Sequence, residues 1–201
     1  MDEHYFTADP SVPFARVPVR ASVWGVDLAL ESGSGVFAQG RLDIGTSVLF
    51  RETTPPRPGT FLDLGCGYGV IGLALACAVP DATVWGVDVN ERALLLANQN
   101  AASLGVAGRF SAVTPEQVPD GTRFDEIWSN PPIRIGKEAL HRLLLGWFAR
   151  LTEDGRAVMV VGKNLGADSL QRWLGEQGYP TTRLASAKGF RVLESRAAER
   201  G

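Results

Sequence analysis

Two runs of residues in this 201-residue chain have the types and spacing to do chemistry. The first, Asp63-Leu64-Gly65-Cys66-Gly67-Tyr68-Gly69, ends the short apolar stretch that starts at Thr60 and precedes an apolar segment of helical length, Val70 to Ala78. Glycine permits the positive φ angles of a tight strand-to-helix turn and lets the backbone approach a ligand closely. The helix that follows aims its N-terminal amides at the bound molecule. The second run is Asn130-Pro131-Pro132, at the end of Phe124-Asp125-Glu126-Ile127-Trp128-Ser129. A nitrogen conjugated to a ring or carbonyl is a poor nucleophile because its lone pair is delocalised. The Asn130 side-chain oxygen and the Pro131 carbonyl can each accept a hydrogen bond from its N–H groups. That pulls the nitrogen toward a tetrahedral geometry and directs its lone pair at an electrophilic carbon. Pro131 and Pro132 stiffen the turn, so the acceptors stand in place before substrate arrives. Such chemistry calls for no metal and no covalent nucleophile; positioning supplies much of the catalysis.

The glycine run admits two cofactor classes. Gly67, Gly69 and Gly72 satisfy the spacing G-x-G-x-x-G of dinucleotide sites. Against a nicotinamide dinucleotide, Gly67 lags behind Gly65 instead of coming directly off the strand, and that pattern does not require the Asp63-x-Gly65 preface. An aspartate at 63 suits the cationic amino-acid end of S-adenosylmethionine, by accepting a hydrogen bond or by neutralising charge. Asp88 ends the next apolar stretch, where ribose hydroxyls are held, and fits either cofactor; its plainer reading is a cap before the helix that opens at Asn90. Thr114-Pro115-Glu116 marks a place for an adenine contact. Taken together, the two runs point to transfer of a methyl group from S-adenosylmethionine to an amino group.

Those residues must be positioned by alternating strands and helices. The pattern predicts strands over Thr60–Leu64, Ala82–Asp88, Phe110–Val113, Phe124–Ser129 and Gly155–Val161, and helices over Val70–Ala78, Asn90–Leu104, Lys137–Leu151 and Ser169–Gln177. Thr181–Ala185 and Phe190–Glu194 pair as a terminal antiparallel hairpin across Lys188-Gly189. The fold class is therefore α/β, a Rossmann-like, mostly parallel sheet with helices on both faces and an antiparallel terminal strand. Ahead of it, Val17–Val23 and Val26–Leu30 read as a short N-terminal β-hairpin turning at Trp24-Gly25, and Asp43–Arg51 as a short helix. The expected organisation is a single domain over 1–201, with an N-terminal extension over 1–52, a proline-rich seam at Thr53–Gly59 and a core over 59–196. In such sheets ligands bind beyond the carboxyl ends of the strands, where strand order reverses. Asp63, Asp88 and Asn130, each at a strand end, are expected to converge on one crevice.

Composition bounds the remainder. Hydrophobic residues make up 45% and charged residues 21% of the chain, ordinary for a globular protein. No apolar stretch approaches the length of a membrane span, and Met1-Asp2-Glu3-His4 lacks the basic start of a secretory signal. Cys66 and Cys77 form no C-x-x-C or Cys/His metal pattern, so neither a metal nor a disulfide is expected and the cytoplasm is the natural compartment. A formal net charge of -2 argues against an indiscriminate grip on nucleic acid. It leaves room for a local basic face from Arg134, Lys137, Arg142, Lys163, Lys188 and Arg191. Each of these is equally a solvated surface charge; Lys188 and Arg191 either grip phosphate or flank the final turn.

The chain resembles class I S-adenosylmethionine-dependent methyltransferases and, within them, the small-subunit ribosomal RNA guanine-N2 methyltransferase family and its single-domain relatives. The resemblance rests on His4-Tyr5-Phe6, Ser34-Gly35-Val36-Phe37, Leu42-Asp43-Ile44-Gly45-Thr46, the glycine run, Asn130 to Lys137, and Lys188-Gly189-Phe190-Arg191-Val192-Leu193. It implies that Asp63, Gly65 and Gly67 contact the methionine part of the cofactor and that Asp88 holds the ribose. Phe37, Gly45 and Thr46 would close over the methionine end, and Asn130 and Pro131 would hold the target amine. It also implies a ribosomal RNA or small-subunit partner. Two departures stand out. Many nitrogen methyltransferases place an aromatic residue after Asn-Pro-Pro, where this chain has Ile133, so apolar contact or stacking from Phe37 must replace it. Larger members carry an extra N-terminal domain for which this chain has no room. Alternatives that share the clamp are methylation of a protein glutamine or a small-molecule amine. From another class come a nicotinamide-dependent oxidoreductase and a non-catalytic nucleotide-binding module.

Overall fold

The computed structural model of the protein describes residues 15–36 and 40–197. A two-stranded antiparallel hairpin opens it: β1 (Arg16–Val23) and β2 (Val26–Gly33) are joined at Trp24-Gly25. Both turn residues take positive φ, 51° and 81°, as a two-residue hairpin turn demands. Tryptophan is a costly residue for that conformation, and its anchoring offsets the strain. The Trp24 indole N–H lies 3.1 Å from the Phe50 carbonyl and 3.0 Å from that of Thr53, and the ring meets Phe50 and Trp128 edge-on. The hairpin is thereby fastened to the end of α1 (Ile44–Arg51).

The remaining strands form one seven-stranded sheet. In chain order they are β3 (Thr60–Leu64), β4 (Thr83–Val87), β5 (Phe110–Val113), β6 (Phe124–Ser129), β7 (Leu151–Gly162), β8 (Thr181–Ala187) and β9 (Phe190–Arg196). Their spatial order is β5-β4-β3-β6-β7-β9-β8, with β9 antiparallel to both its neighbours. The order reverses between β3 and β6, so the connections that leave these two strands depart to opposite faces. One face is covered by α1, α2 (Val70–Ala78) and α3 (Glu91–Ser103), together with the hairpin. The other lies under α4 (Lys137–Phe148) and α5 (Ala167–Glu176). Strand alternation distributes side chains between the two cores: Phe61 and Val84 pack under α2, while Leu62, Leu64 and Val87 point the other way.

The expected elements are all present among the described residues, but several boundaries move: β2 runs on to Gly33, α5 starts at Ala167, and β8 and β9 extend to Ala187 and Arg196. The helix from Lys137 ends at Phe148 and not Leu151. The following strand starts at Leu151, ahead of Gly155. Leu151 pairs with Phe124, after which the register jumps so that Glu126 meets Arg156. The polar residues between form an irregularity whose close approach explains Gly155: a Cβ there would lie 3.0 Å from the Phe124 carbonyl oxygen.

One buried side chain joins the hairpin to the core. Asn100, on α3, accepts from the Glu31 N–H (2.8 Å) and donates to the Glu31 carbonyl (2.9 Å) and to the Tyr68 carbonyl (3.0 Å) in the glycine run. Its amide thus pairs with β2 as a neighbouring strand would. Asn100→Ala would leave the Glu31 and Tyr68 groups unpartnered. An expected loss of about 2–4 kcal/mol of folding free energy follows, to be read from the midpoint of urea unfolding at unchanged slope.

Candidate active site

A cleft of about 460 Å³ opens beyond the carboxyl ends of β3, β4 and β6, where the strand order reverses. The glycine turn forms its floor. Gly65 and Cys66 donate their N–H groups to the Val87 carbonyl at 2.8 and 3.0 Å, pinning the turn to the end of β4. Gly67 has φ 54° with no atom within 4 Å of where a Cβ would stand. The glycine there is required by backbone conformation, and the space beside it belongs to the cleft.

Asp88 braces that turn. One carboxylate oxygen accepts from the Gly67 N–H (2.9 Å) and the other from the Asn90 N–H (2.9 Å). The cap of α3 is Asn90, whose side-chain oxygen accepts from Arg92 and Ala93; Asp88 itself lines the cleft. Asn90 also donates to the Gly35 carbonyl (2.8 Å), drawing the segment after β2 to the site. Asp63 stands fully buried beneath the turn and does not line the cleft. One of its oxygens accepts from the Gly72 N–H (2.8 Å) on α2; the other is buried without a partner. Burial pushes its carboxyl up to about 7, opposed by the Gly72 bond and aided by the charge of Asp88. Burial also raises Asp88, against its backbone hydrogen bonds. The Cys66 thiol rises well above its ordinary range through burial and the charges of Asp88 and Asp63, which keeps it protonated and unsuited to nucleophilic work.

At the other wall, β6 ends in Asn130. The side-chain amide nitrogen of Asn130 donates to an Asp43 carboxylate oxygen (2.8 Å) and to the Thr46 hydroxyl (3.1 Å). The same Asp43 oxygen accepts from the Thr46 N–H (3.0 Å) and caps α1. A carboxylate only accepts, so the amide nitrogen must face it and the amide oxygen is directed elsewhere. Turning the amide over would forgo the Asp43 bond and set two oxygens together, leaving only the Thr46 hydroxyl, which can donate as well as accept; the difference is about 2–4 kcal/mol. Pro131 carries its carbonyl beside it. That carbonyl already accepts from the Ile133 N–H at 2.8 Å, across a tight turn at Pro132 (φ -74°, ψ 72°). One lone pair remains for a second donor, and the bond fixes its direction. The Ser129 hydroxyl ties this strand end to the Leu64 carbonyl (2.7 Å), holding the two walls in register.

The cleft gathers many of the residues the sequence singled out: Thr46, Gly65, Gly67, Asp88, Asn130, Pro131, Pro132, Ile133 and Arg134 all line it. Others stand apart. Gly45 is buried under the Phe190 ring, where a Cβ would lie 2.9 Å from a ring carbon, and serves packing. Lys188 is exposed in the β8–β9 turn, with φ 48°. Arg191 pairs with Asp168 at 3.3 Å. Neither lines the cleft; alternation along β9 sends Phe190 toward it and Arg191 to the other face. Phe37 and the His4–Phe6 run lie outside the described residues. Sequence reasoning overlooked Asp43, Arg41, Tyr68, Asn90, Leu165 and Phe190, which line the cleft as well. For Asp43 a signal existed, an acidic N-cap three residues ahead of Thr46. Phe190 stood in the Lys188–Leu193 run that carries the family resemblance, which marked the segment but gave that ring no place in the cleft.

The donor set favours a cationic ligand. Asp43 and Asp88 line the cleft and Asp63 lies beneath it, one of its oxygens unpartnered. A dinucleotide would bring a pyrophosphate against these carboxylates; a sulfonium and an ammonium would relieve their mutual repulsion.

A family described as the methyltransferase small domain matches residues 27–194. The chain belongs to that family. It is an S-adenosylmethionine-dependent methyltransferase. It is 33% identical over 199 residues to a Bacillus subtilis (strain 168) protein named uncharacterized protein YbxB, covering 98% of this chain and 99% of that one. It is also 33% identical over 186 residues to ribosomal RNA small subunit methyltransferase C of Ectopseudomonas mendocina (strain ymp), covering 88% of this chain and 55% of that protein. Among solved structures it superposes with a TM-score of 0.80 at 24% identity on the T. thermophilus 16S rRNA N2 G1207 methyltransferase (RsmC) in complex with AdoMet and guanosine, over 93% of this chain and 52% of that one. This chain therefore spans about half the length of the methyltransferase C proteins it matches.

A measurable consequence follows for Asp63. In the free protein its raised pKa means that its contribution to stability declines as pH rises from 3.8 to about 7 and is level above that. A cation bound above it favours the ionised form, so S-adenosylmethionine should bind with proton release near pH 7, roughly half a proton, and more tightly as pH rises from 6 toward 8. Calorimetry in buffers of differing ionisation enthalpy checks this, with Asp63→Asn expected to abolish the release.

Proposed function

We propose that this methyltransferase acts on the exocyclic amino group of a guanosine in small-subunit ribosomal RNA, as a single domain in which residues 1–52 extend a core over 59–196. The observation that carries the reading is the orientation of Asn130. Its nitrogen is consumed by Asp43 and Thr46, which frees its oxygen to act with the Pro131 carbonyl, both residues lining the cleft, as a pair of acceptors for the two hydrogens of one amine. Support for guanosine and for RNA comes from the relatives that carry the name ribosomal RNA small subunit methyltransferase C and from the guanosine-bound structure the fold resembles.

Bound S-adenosylmethionine would supply an electrophilic methyl group. The Gly65–Gly67 turn and Asp88 would hold its amino-acid and ribose parts, with Asp63 beneath contributing negative charge. Asn130 and Pro131 orient the amine nitrogen and localise its lone pair. Ile133 offers an apolar edge to a base plane, and Phe190 and Leu165 exclude water around it. Exposed Arg41 and Arg134 on the cleft wall suit flanking phosphates. An adjoining hollow of about 210 Å³, which shares Ile133 and Leu165 with the cleft and includes Lys137 and His141, extends that surface. Among the described residues no helix is long and apolar enough to cross a membrane, consistent with a ribosomal partner met in the cytoplasm.

Radiolabelled methyl transfer to undermethylated small subunits, to naked 16S rRNA and to a protein extract tests the reading. Label is expected in RNA, at the 2-amino group of guanosine after nucleoside digestion. Asn130→Ala should lower kcat about 100-fold while changing S-adenosylmethionine affinity less than about three-fold. Label confined to protein, or an Asn130→Ala enzyme at wild-type rate, would overturn it.

A further inference from the structure

We infer that Asp43 is a positioning residue for methyl transfer, relaying the orientation of helix α1 to the catalytic amide of Asn130. The inference rests on the amine-clamp reading above and adds a part that neither the clamp nor the cofactor turn contains.

The argument starts from an ambiguity in asparagine itself. Its amide oxygen and nitrogen are nearly equal in size, so packing does not decide which of them faces the cleft. The amide oxygen attracts an incoming N–H; the amide nitrogen repels it. A clamp built on asparagine therefore needs a second group that cannot accept the wrong orientation. Asp43 is such a group. A single carboxylate oxygen receives both the Asn130 amide nitrogen at 2.8 Å and the Thr46 backbone N–H at 3.0 Å. The backbone N–H belongs to the first turn of α1, where amides have no partner within the helix and always point out of its N-terminal end. The helix thus fixes where the Asp43 oxygen stands, and that oxygen fixes which way Asn130 turns. Thr46 adds a second acceptor at 3.1 Å on the same side. Asp43 and Asn130 are 87 residues apart, on different elements, and both line the cleft.

This relay separates Asp43 from a simple helix cap and from a proton acceptor. Asparagine at 43 can present its one amide oxygen to the Thr46 N–H, because the helix end selects the acceptor, and that same oxygen then still receives Asn130. Serine at 43 caps the helix equally well, but its shorter hydroxyl does not reach Asn130. A cap needs either residue; a proton acceptor needs the carboxylate; a relay needs reach and an acceptor, with or without charge.

The test compares wild type, Asp43→Asn and Asp43→Ser in the full-length enzyme by two readouts. Steady-state methyl transfer at saturating S-adenosylmethionine is expected to show Asp43→Asn within about three-fold of wild type in kcat and Asp43→Ser reduced about ten-fold or more, with thermal midpoints close to wild type and with S-adenosylhomocysteine affinity lowered alike in both, since both lose the same charge. Independently of turnover, the side-chain amide ¹H–¹⁵N pair of Asn130, assigned by its loss in Asn130→Ala, should be protected from solvent exchange in wild type and in Asp43→Asn, and fast-exchanging in Asp43→Ser. Asp43→Ser at wild-type rate would overturn the inference. So would Asp43→Asn as slow as Asp43→Ser, which would assign the need to charge. So would an Asn130 amide that exchanges freely in wild type, whatever substrate the enzyme proves to use. Failure of ribosomal RNA as substrate with a protected, Asp43-dependent amide would instead count against the proposed substrate and leave the relay standing.

Discussion

The pairing of β3 with β6 is the constraint on which the site depends. The two strands lie side by side and parallel, yet the chain leaves β3 toward the face of α2 and leaves β6 toward the face of α4. Their divergence opens the cleft, and each wall is the first few residues after a strand end. Because both walls belong to one hydrogen-bonded sheet, their separation is set by strand spacing and not by loops. The Ser129 hydroxyl on the Leu64 carbonyl locks this junction at the level where the chains part.

Above that junction, polar groups are held by backbone amides more than by opposite charges. Asp88 is braced by two N–H groups and Asp63 by one, while Asp43 takes the first-turn amide of α1. Among the described residues no lysine or arginine forms an ion pair with these carboxylates; the arginines on the cleft wall, Arg41 and Arg134, are exposed. A carboxylate neutralised by arginine would have little left for a cationic ligand, whereas one held by amides retains its charge or, when buried like Asp63, stores a proton that a ligand can displace. The arrangement is costly in the free protein and favourable on binding, a common way for a site to spend stability on function.

The segments ahead of the core are bound into the site. The hairpin is joined to α3 and to the glycine turn through Asn100, and to α1 through Trp24. The segment after β2 reaches the cleft through the Gly35 carbonyl on Asn90, and α1 supplies Asp43 and Thr46. A chain that spans only about half of the methyltransferase C proteins thereby holds the glycine turn, the Asn-Pro-Pro strand end and Asp43 together around one cleft.

Much of this was legible in the sequence, because local physics decides it. Alternating and helical apolar patterns placed every strand and α-helix of the described residues, with ends off by up to a few residues; glycines marked the turn that needs positive φ; Asn-Pro-Pro marked a rigid strand end with two acceptors. Boundaries failed at Leu151 to Gly155, where an irregular register, invisible to periodicity, extends the strand. What only the tertiary structure decided is which way each polar group faces. Asp63 was expected against the ligand and lies beneath the turn; Gly45 was expected on the cleft and lies under Phe190; Arg191 turns to Asp168 while its neighbour Phe190 enters the site. Asp43, 87 residues from Asn130, shows the reason most plainly. Sequence determines what a residue can donate or accept and which element carries it, but a hydrogen bond between distant elements exists only after the sheet and its covering helices have packed, and that packing is a property of the whole chain.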